Sequence, residues 1–219
     1  LQDPLQQYSR VMAIQGAQQQ NALVIQRGKS RIVRTPKMKG SDVRVMEVQI
    51  APRAQGGLEG KAKLNFVGEL ASYFIRQSAT ARAEEFRGSA ETMIRSRLPG
   101  GEVRFADWTK GTGETPDVTF NATVALNVAP SSRSLVLPSR PFTPPLAVLE
   151  NREADIVLDV PVATTKWNVE LPQGWCAPKV APQSVENEIG VFRQKIESSG
   201  TTVSVERHLE IKEHWVKKE

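Results

Sequence analysis

Residues 118–128 read VTFNATVALNV and carry the clearest structural signal in the chain. Apolar side chains occupy every second position, and the positions between them hold Thr, Asn and Ala. A period of two is typical of a β-strand that buries one face and exposes the other to water. The stretch therefore predicts a half-buried strand of an antiparallel sheet.

Strand signals continue on both sides of this stretch. Residues 43–51 and 58–67 alternate in the same way around a turn that ends in Gly-Gly, which predicts an antiparallel pair. Residues 22–26 and 30–35 are short β-prone runs around Gly28, which predicts a second hairpin. Further strands are predicted at residues 102–106, 154–160, 166–171, 190–197 and 201–212.

A single helix is predicted, over about residues 81–98. Its apolar side chains recur at helical spacing: Phe86, Ala90, Met93, Ile94 and Leu98. Acidic residues lie in its first turn and basic residues in its last, as the helix dipole favours, and Pro-Gly-Gly ends it. The apolar run at residues 72–75 is too short to assign. We therefore expect a mainly β fold, an antiparallel sheet or β-sandwich with one α-helix packed on it.

The composition is that of an ordinary soluble chain, and it limits the chemistry. The 219 residues are 39% hydrophobic, with a mean hydropathy of −0.36. One Cys excludes an internal disulfide framework and a thiolate zinc cluster, and two His leave little material for a metal centre. We expect no cofactor and no metal. No apolar run approaches the roughly 20 residues of a membrane helix, so we also expect no membrane span.

The positive charge is concentrated in one segment. The chain carries a net charge of +5, whereas residues 27–44 hold seven basic groups and one acid, so the remainder sums to −1. The predicted interaction patch comprises Arg27, Lys29, Arg31, Arg34, Lys37 and Lys39, together with Trp175. No aromatic residue is interleaved with these cations, although binders of single-stranded nucleic acid use stacking platforms. We expect the segment to face a neighbouring domain or an acidic partner rather than nucleic acid.

Cys176 and the two His raise the question of nucleophilic catalysis. A reactive Cys needs a lowered pKa, commonly from a helix N-terminus or a protonated His. Pro178 and Pro182 oppose a helix that begins at Cys176, so the sequence favours a small, partly buried thiol beside a packed Trp. On a straight strand His208 and His214 lie about 20 Å apart, too far to share a metal ion. A Cys hydrolase is therefore the last-ranked hypothesis, and we assign no catalytic residue.

The four tryptophans leave a second hypothesis open. They are Trp108, Trp167, Trp175 and Trp215. Exposed indole rings in a row would form a sugar-stacking platform, whereas scattered Trp residues commonly anchor cores or interfaces. A carbohydrate- or peptidoglycan-binding β-sandwich is accordingly the alternative function.

The order of several short motifs resembles a known family. The motifs are NALVI (21–25), IVRTP (32–36), GLEG (57–60), GELASYFIR (68–76), SRLPG (96–100), LVLPSRP (135–141), LPQGW (171–175), NEIG (187–190) and RHLEI (207–211). Together, over about residues 21–213, they resemble the C-terminal module, of uncharacterised function, of bacterial proteins that also carry an N-terminal β domain and a transglutaminase-like core. The family's Cys–His–Asp catalytic set maps onto no residue of this chain.

The resemblance carries expectations about organisation and role. It implies that residues 1–40 are a lead-in and hairpin that close, or link to, a transglutaminase-like domain, and that residues 41–219 are the β-rich module. The start at Leu1 and the charged run at the other end also suggest a fragment. The expected role is that of a non-catalytic accessory module that docks to the catalytic domain or its substrate, with a peptide or cell-wall glycan as a further partner. The resemblance also implies a periplasmic or extracellular location.

Overall fold

The computed structural model describes residues 21–26, 28–34, 42–54, 56–98, 101–113, 115–127, 156–157, 162–177, 179–212 and 215–216. Within these ranges the chain forms twelve strands and two helices. In chain order they are β1 Asn21–Gln26, β2 Lys29–Arg34, β3 Asp42–Pro52, β4 Leu58–Gly68, α1 Glu69–Thr80, α2 Ala83–Arg97, β5 Gly101–Lys110, β6 Asp117–Leu126, β7 Ile156–Val157, β8 Val162–Glu170, β9 Gln183–Glu186, β10 Gly190–Ser199, β11 Thr202–Ile211 and β12 Trp215–Val216.

Eight of these strands form one sheet in the order β5-β6-β4-β3-β8-β11-β10-β9. Neighbouring strands are antiparallel except β3 and β8, which run parallel. The mainly β fold is therefore confirmed, and of the two predicted architectures the described residues form the single sheet rather than a sandwich. The predicted hairpins are confirmed as well: β3 pairs with β4 in the large sheet, and β1 pairs with β2 in a separate two-stranded sheet.

The alternation in the sequence sorts the side chains of the large sheet onto two faces. Val118, Phe120 and Ala122 of β6 point to the inner face, which is the face that the helices cover, and each is at most 3% exposed. The residues between them, such as Asn121 and Thr123, point to the opposite, outer face and are half-buried or exposed. The period of two in the sequence of β6 therefore corresponds to a strand that is buried on one face only.

Aromatic rings fill the space between the inner face and the helices. The ring of Phe120 lies 4.8 Å from that of Phe74 on α1 and 6.0 Å from that of Phe66 on β4, between ring centroids. Phe86 on α2 completes the group at 6.1 Å from Phe120. Edge-to-face and tilted rings at these distances are favourable packing arrangements, so this cluster fixes both helices on the sheet.

The predicted helix is confirmed as α2, with its apolar stripe facing the core. Phe86, Ala90 and Ile94 are buried along that stripe. Its start is stabilised by a hydrogen bond from the Arg82 backbone N–H to the Glu85 carboxylate, at 3.2 Å. The Glu91 carboxylate also accepts a hydrogen bond from the backbone N–H of Phe105, at 3.0 Å. Helix α2 therefore supplies a hydrogen-bond acceptor to a backbone N–H group of β5, which is an edge strand of the sheet.

The prediction of a single helix is wrong, because α1 precedes α2. The helix α1 contains the unassigned run at residues 72–75, and it follows β4 with no linker. Gly68 stands at its N-cap with a φ of 96° and no capping side chain. The usual sequence signal for a helix start is therefore missing, and the aromatic and β-branched residues inside the helix look strand-like in isolation.

Other predicted boundaries differ in smaller ways. The strand expected at residues 102–106 continues to Lys110 as β5, and the short edge strand β9 was not expected. The strand expected at residues 154–160 is described only at residues 156–157, and the Pro-rich loop that follows β6 lies outside the described residues. Among the described helices, neither has the length and apolar character needed to cross a bilayer.

Candidate docking surface on the first hairpin

The β1–β2 hairpin is a regular two-stranded ribbon. Its register pairs Leu23 with Ile32 and Gln26 with Lys29, so the connection has two residues. Gly28 in that connection has a φ of 85°, a left-handed conformation that glycine adopts without steric cost. The expected Gly turn is therefore present.

One face of this ribbon is apolar and open to solvent. Side chains of directly paired residues point to the same side, so Leu23 and Ile32 share a face with Ile25. These three side chains are 61%, 72% and 78% exposed, respectively. Branched aliphatic side chains at such exposure, adjacent on one face of a ribbon, form a contiguous apolar patch, which is typical of an interaction site.

The opposite face of the ribbon carries three further apolar residues, beside Lys29 and Arg31. Ala22, Val24 and Val33 lie there and are half-buried. Among the described residues neither strand has an extensive contact with an element outside the hairpin. A two-stranded ribbon is marginally stable on its own in water. A ribbon with apolar residues on both faces is therefore built like a strand pair from the middle of a layered fold.

The predicted basic patch is divided by the structure. Lys29, Arg31 and Arg34 are exposed on the hairpin, and Arg34 interacts with a neighbouring group. Arg27, Lys37 and Lys39 lie outside the described residues. Trp175 is half-buried in the turn after β8, where its backbone N–H donates to the Pro172 carbonyl at 3.0 Å. The hairpin pairs with no strand of the sheet that contains β8, so strand pairing does not bring Trp175 to the cations.

The exposed aliphatic residues of the hairpin were not among the predicted site residues. The signal for them is present in the sequence, because residues 22–25 are four consecutive apolar residues and do not alternate. A continuous apolar run of this length is typical of a strand that is covered on both faces. The hairpin, with its aliphatic face and its three described cations, is therefore the candidate docking surface.

The charge of the hairpin contrasts with that of the outer face. Residues 21–34 contain no acid. On the outer face, by contrast, Glu47 lies directly between Lys63 and Lys166 across the strands. Farther along the same row, Lys195 lies opposite Glu206. The hydrogen bond and charge of Glu197, two residues along β10, and the charge of Glu206 raise the pKa of Lys195. The outer face largely compensates its own charges, whereas the hairpin presents one sign only.

The tryptophans do not form the exposed row that sugar stacking would need. Trp167 lies in the core and is 1% exposed. Trp108 is half-buried, with its ring 5.2 Å from that of Phe86. Trp175 is half-buried in its turn, and the side chain of Trp215 lies outside the described part. The described rings therefore lend no support to a sugar platform.

The Cys and His residues occupy separate settings. Cys176 is exposed, so the expectation of a partly buried thiol is wrong. His208 lies on the polar side of β11, with Nδ1 3.0 Å from the Thr164 hydroxyl and Nε2 4.0 Å from the Glu210 carboxylate. His214 lies outside the described residues. Across the described ranges no three His, Cys, Asp or Glu side chains are grouped in a way that could hold a metal ion.

Comparison with protein-family models, curated proteins and solved structures finds no match to this chain.

Proposed function

We propose that this chain is a non-catalytic accessory module of a bacterial transglutaminase-like protein, and that the hairpin of Asn21–Arg34 docks it to the neighbouring transglutaminase-like domain. The observation that carries the proposal is the exposed aliphatic face of Leu23, Ile25 and Ile32. The choice of a transglutaminase-like domain as the partner rests on the resemblance of the motif order over residues 21–213 to that family. A periplasmic or extracellular setting belongs to the same proposal.

The size of the aliphatic patch supports docking. Full burial of one Leu or Ile side chain contributes about 1.5–3 kcal/mol. Burying the exposed parts of these three side chains against a partner would therefore contribute on the order of 4 kcal/mol to the free energy of binding. A partner surface that covers them would also order a ribbon that is marginal alone.

The charge of the hairpin supports the same orientation. Lys29 and Arg31 lie on the face opposite to Ile25, and Arg34 lies beside Ile32. A partner that covers the aliphatic face therefore meets Arg34 at its rim, and it should carry an acidic side chain there. Complementary charges at a rim speed association and fix orientation, while the buried aliphatic centre supplies most of the affinity.

The test is a calorimetric titration of this chain with the transglutaminase-like domain encoded by the same gene. Replacing Ile25 and Ile32 together with Ser should weaken binding at least about tenfold, since each change removes a buried aliphatic group. Val185→Ser is the matched control, because Val185 is a branched residue that is 60% exposed on β9.

Two outcomes would contradict the proposal. The first is an affinity that is unchanged in the hairpin variant or reduced equally by Val185→Ser. The second is a gene that encodes no transglutaminase-like domain beside this module. Circular dichroism of each variant should match that of the parent chain, because the substituted side chains lie outside the core.

A further inference from the structure

A concave site lies on the outer face of the large sheet, at the corner formed by β5, β6 and β4. Its cavity volume is about 420 Å³, which is within the range of small-molecule sites. The floor consists of Thr123 and Ala125 on β6, the central strand of the three. Charged side chains on the two flanking strands form its walls. We call this site the corner cup.

The walls of the corner cup follow from strand register. One row across the sheet runs Arg104, Thr123, Lys61, and the next row runs Glu102, Ala125, Glu59. Two cations therefore flank the Thr hydroxyl, and two carboxylates flank the Ala methyl. Strands two apart in a sheet are separated by about 9–10 Å, a gap that long Arg and Lys side chains can bridge toward a shared ligand.

This arrangement departs from the pattern elsewhere on the outer face. In the neighbouring row Glu47 lies directly between two lysines, so opposite charges alternate along the row. In the corner cup like charges share a row, and small residues separate them. Like charges on one row repel each other, and a ligand of opposite charge between them would remove that repulsion.

Few of the charged side chains of the corner cup form ion pairs with other side chains of the protein. Arg53 at the rim lies 3.9 Å from the Glu59 carboxylate and donates a long hydrogen bond of 3.4 Å to Asn127. Among the described residues, no salt bridge forms at Lys61, Arg104 or Glu102. The cationic row and the Glu102 carboxylate of the anionic row are thus open to a ligand, whereas the Glu59 carboxylate is shared with Arg53.

The spacing of the two rows defines the ligand. Residues two apart on a strand lie about 6.8 Å apart, and two residues of extended peptide span about 6.6–7.2 Å. We propose that the corner cup binds a short peptide with two free ends, its carboxylate between Lys61 and Arg104 and its ammonium toward Glu102 and Glu59. This inference stands apart from the docking role of the hairpin.

Each part of such a peptide has a complementary group in the cup. The terminal carboxylate meets the guanidinium of Arg104, which can donate two parallel hydrogen bonds, and the hydroxyl of Thr123. The ammonium meets the carboxylate row. An anion without an ammonium would face Glu102 without compensation, and an amine without a carboxylate would face Lys61. Both charges are therefore required for binding.

The test uses alanyl-alanine as the probe and the whole 219-residue chain, with amide resonances followed by NMR. The resonances of residues around Thr123 should shift in a saturable way. Arg104→Gln or Lys61→Gln should weaken binding about two- to fivefold, the effect of losing one exposed charge contact. Lys63→Gln is the matched control, because Lys63 lies on the same strand and face, one row beyond Lys61.

Chemical variants of the probe test the requirement for two charges. N-acetyl-alanyl-alanine lacks the ammonium and alanyl-alanine amide lacks the carboxylate, so each should bind at least about fivefold more weakly. Three outcomes would overturn the proposal: no shift at millimolar alanyl-alanine, equal affinity in Arg104→Gln and the parent chain, or binding of acetate as tight as that of alanyl-alanine. The substituted side chains are on the sheet surface, so the variants should fold like the parent chain.

Discussion

The two hairpins in the first 70 residues share a topology and differ in what covers them. In β3–β4 the buried residues, such as Val48 and Leu64, occupy one face, and the other face, which carries Glu47, Lys61 and Lys63, is half-buried or exposed. In β1–β2 apolar residues occupy both faces, and Ile25 is 78% exposed. The first pattern is complete within the described sheet. The second becomes favourable only when another surface covers it.

The largest effect that separates the two regions is expected in the core beneath β6. Phe120 is fully buried, and its ring lies within about 6 Å of the rings of Phe66, Phe74 and Phe105. Phe120→Ala should lower the free energy of unfolding by about 3–5 kcal/mol, because it leaves a cavity that rigid neighbours cannot close. Urea unfolding followed by tryptophan fluorescence, to which the buried Trp167 contributes, measures the change.

The paired variant is Ile25→Ala in the same isolated chain. It should change the free energy of unfolding by less than about 0.5 kcal/mol, because most of the Ile25 side chain is exposed to solvent in the folded chain. A loss comparable with that of Phe120→Ala would show that the hairpin is part of the cooperative core, and the contrast between the two hairpins would then fail.

The same contrast explains how much of the fold could be read from the sequence. Wherever one face of an element is buried within the chain, as in β6 and α2, the burial imposes a period that the sequence displays. Helix α1 was not predicted because it continues directly from β4 at Gly68 without a capping side chain. Its buried residues Ala71, Phe74 and Ile75 do have helical spacing, but the run is short and strand-like in composition.

The two candidate surfaces could be predicted from the sequence only in part. The cations of the hairpin are visible in the sequence, but the exposure of Leu23 and Ile32 depends on which elements pack nearby. The corner cup depends on register, because Lys61 and Arg104 are far apart in the chain and meet only across β6. Register is set by long-range pairing, which a local pattern does not specify.

An intermediate effect is expected at two glycines, one in each hairpin. A Cβ at Gly60 in β4 would overlap the backbone oxygen of Gln49, so Gly60→Ala must push β3 and β4 apart. The cost should be about 1–3 kcal/mol of unfolding free energy, as for other overpacked sites. A Cβ at Gly28 would meet no atom within 4 Å, so Gly28→Ala strains only its own left-handed turn.

Urea midpoints of the two glycine variants therefore sharpen the comparison. We expect a clear decrease for Gly60→Ala and an unchanged midpoint for Gly28→Ala, with lost hydrogen-exchange protection confined to β1 and β2. Equal decreases would mean that the two hairpins unfold as one unit. An unchanged midpoint for Gly60→Ala would mean that β3 and β4 separate at little cost.

The smallest effect is expected at β9, the least covered strand of the large sheet. The Glu186 carboxylate accepts a hydrogen bond from the Lys212 ammonium, which ties β9 to the residue after β11. The hydrogen bond and charge of Lys212, with a smaller contribution from Arg193, lower the pKa of Glu186 from its ordinary value of 4.5. A carboxyl whose pKa is lower in the folded chain stabilises the fold above its unfolded pKa, and this stabilisation is lost as the pH falls through the folded value.

Glu186→Gln should therefore lower the urea midpoint slightly near neutral pH, because both side chains of the pair are exposed to solvent, which screens their charges. The difference from the parent chain should shrink as the pH falls below 4.5 and vanish once the parent carboxyl is protonated in the folded state. Glu188→Gln, an exposed carboxylate two residues along the chain, is the control, and its midpoint should follow the parent throughout. If the difference at Glu186 persisted in acid, the shape of the side chain rather than its charge would hold β9 in place. The stability of this edge would then depend on contacts of the same kind as those in β3–β4, and charge pairing would play no part in it.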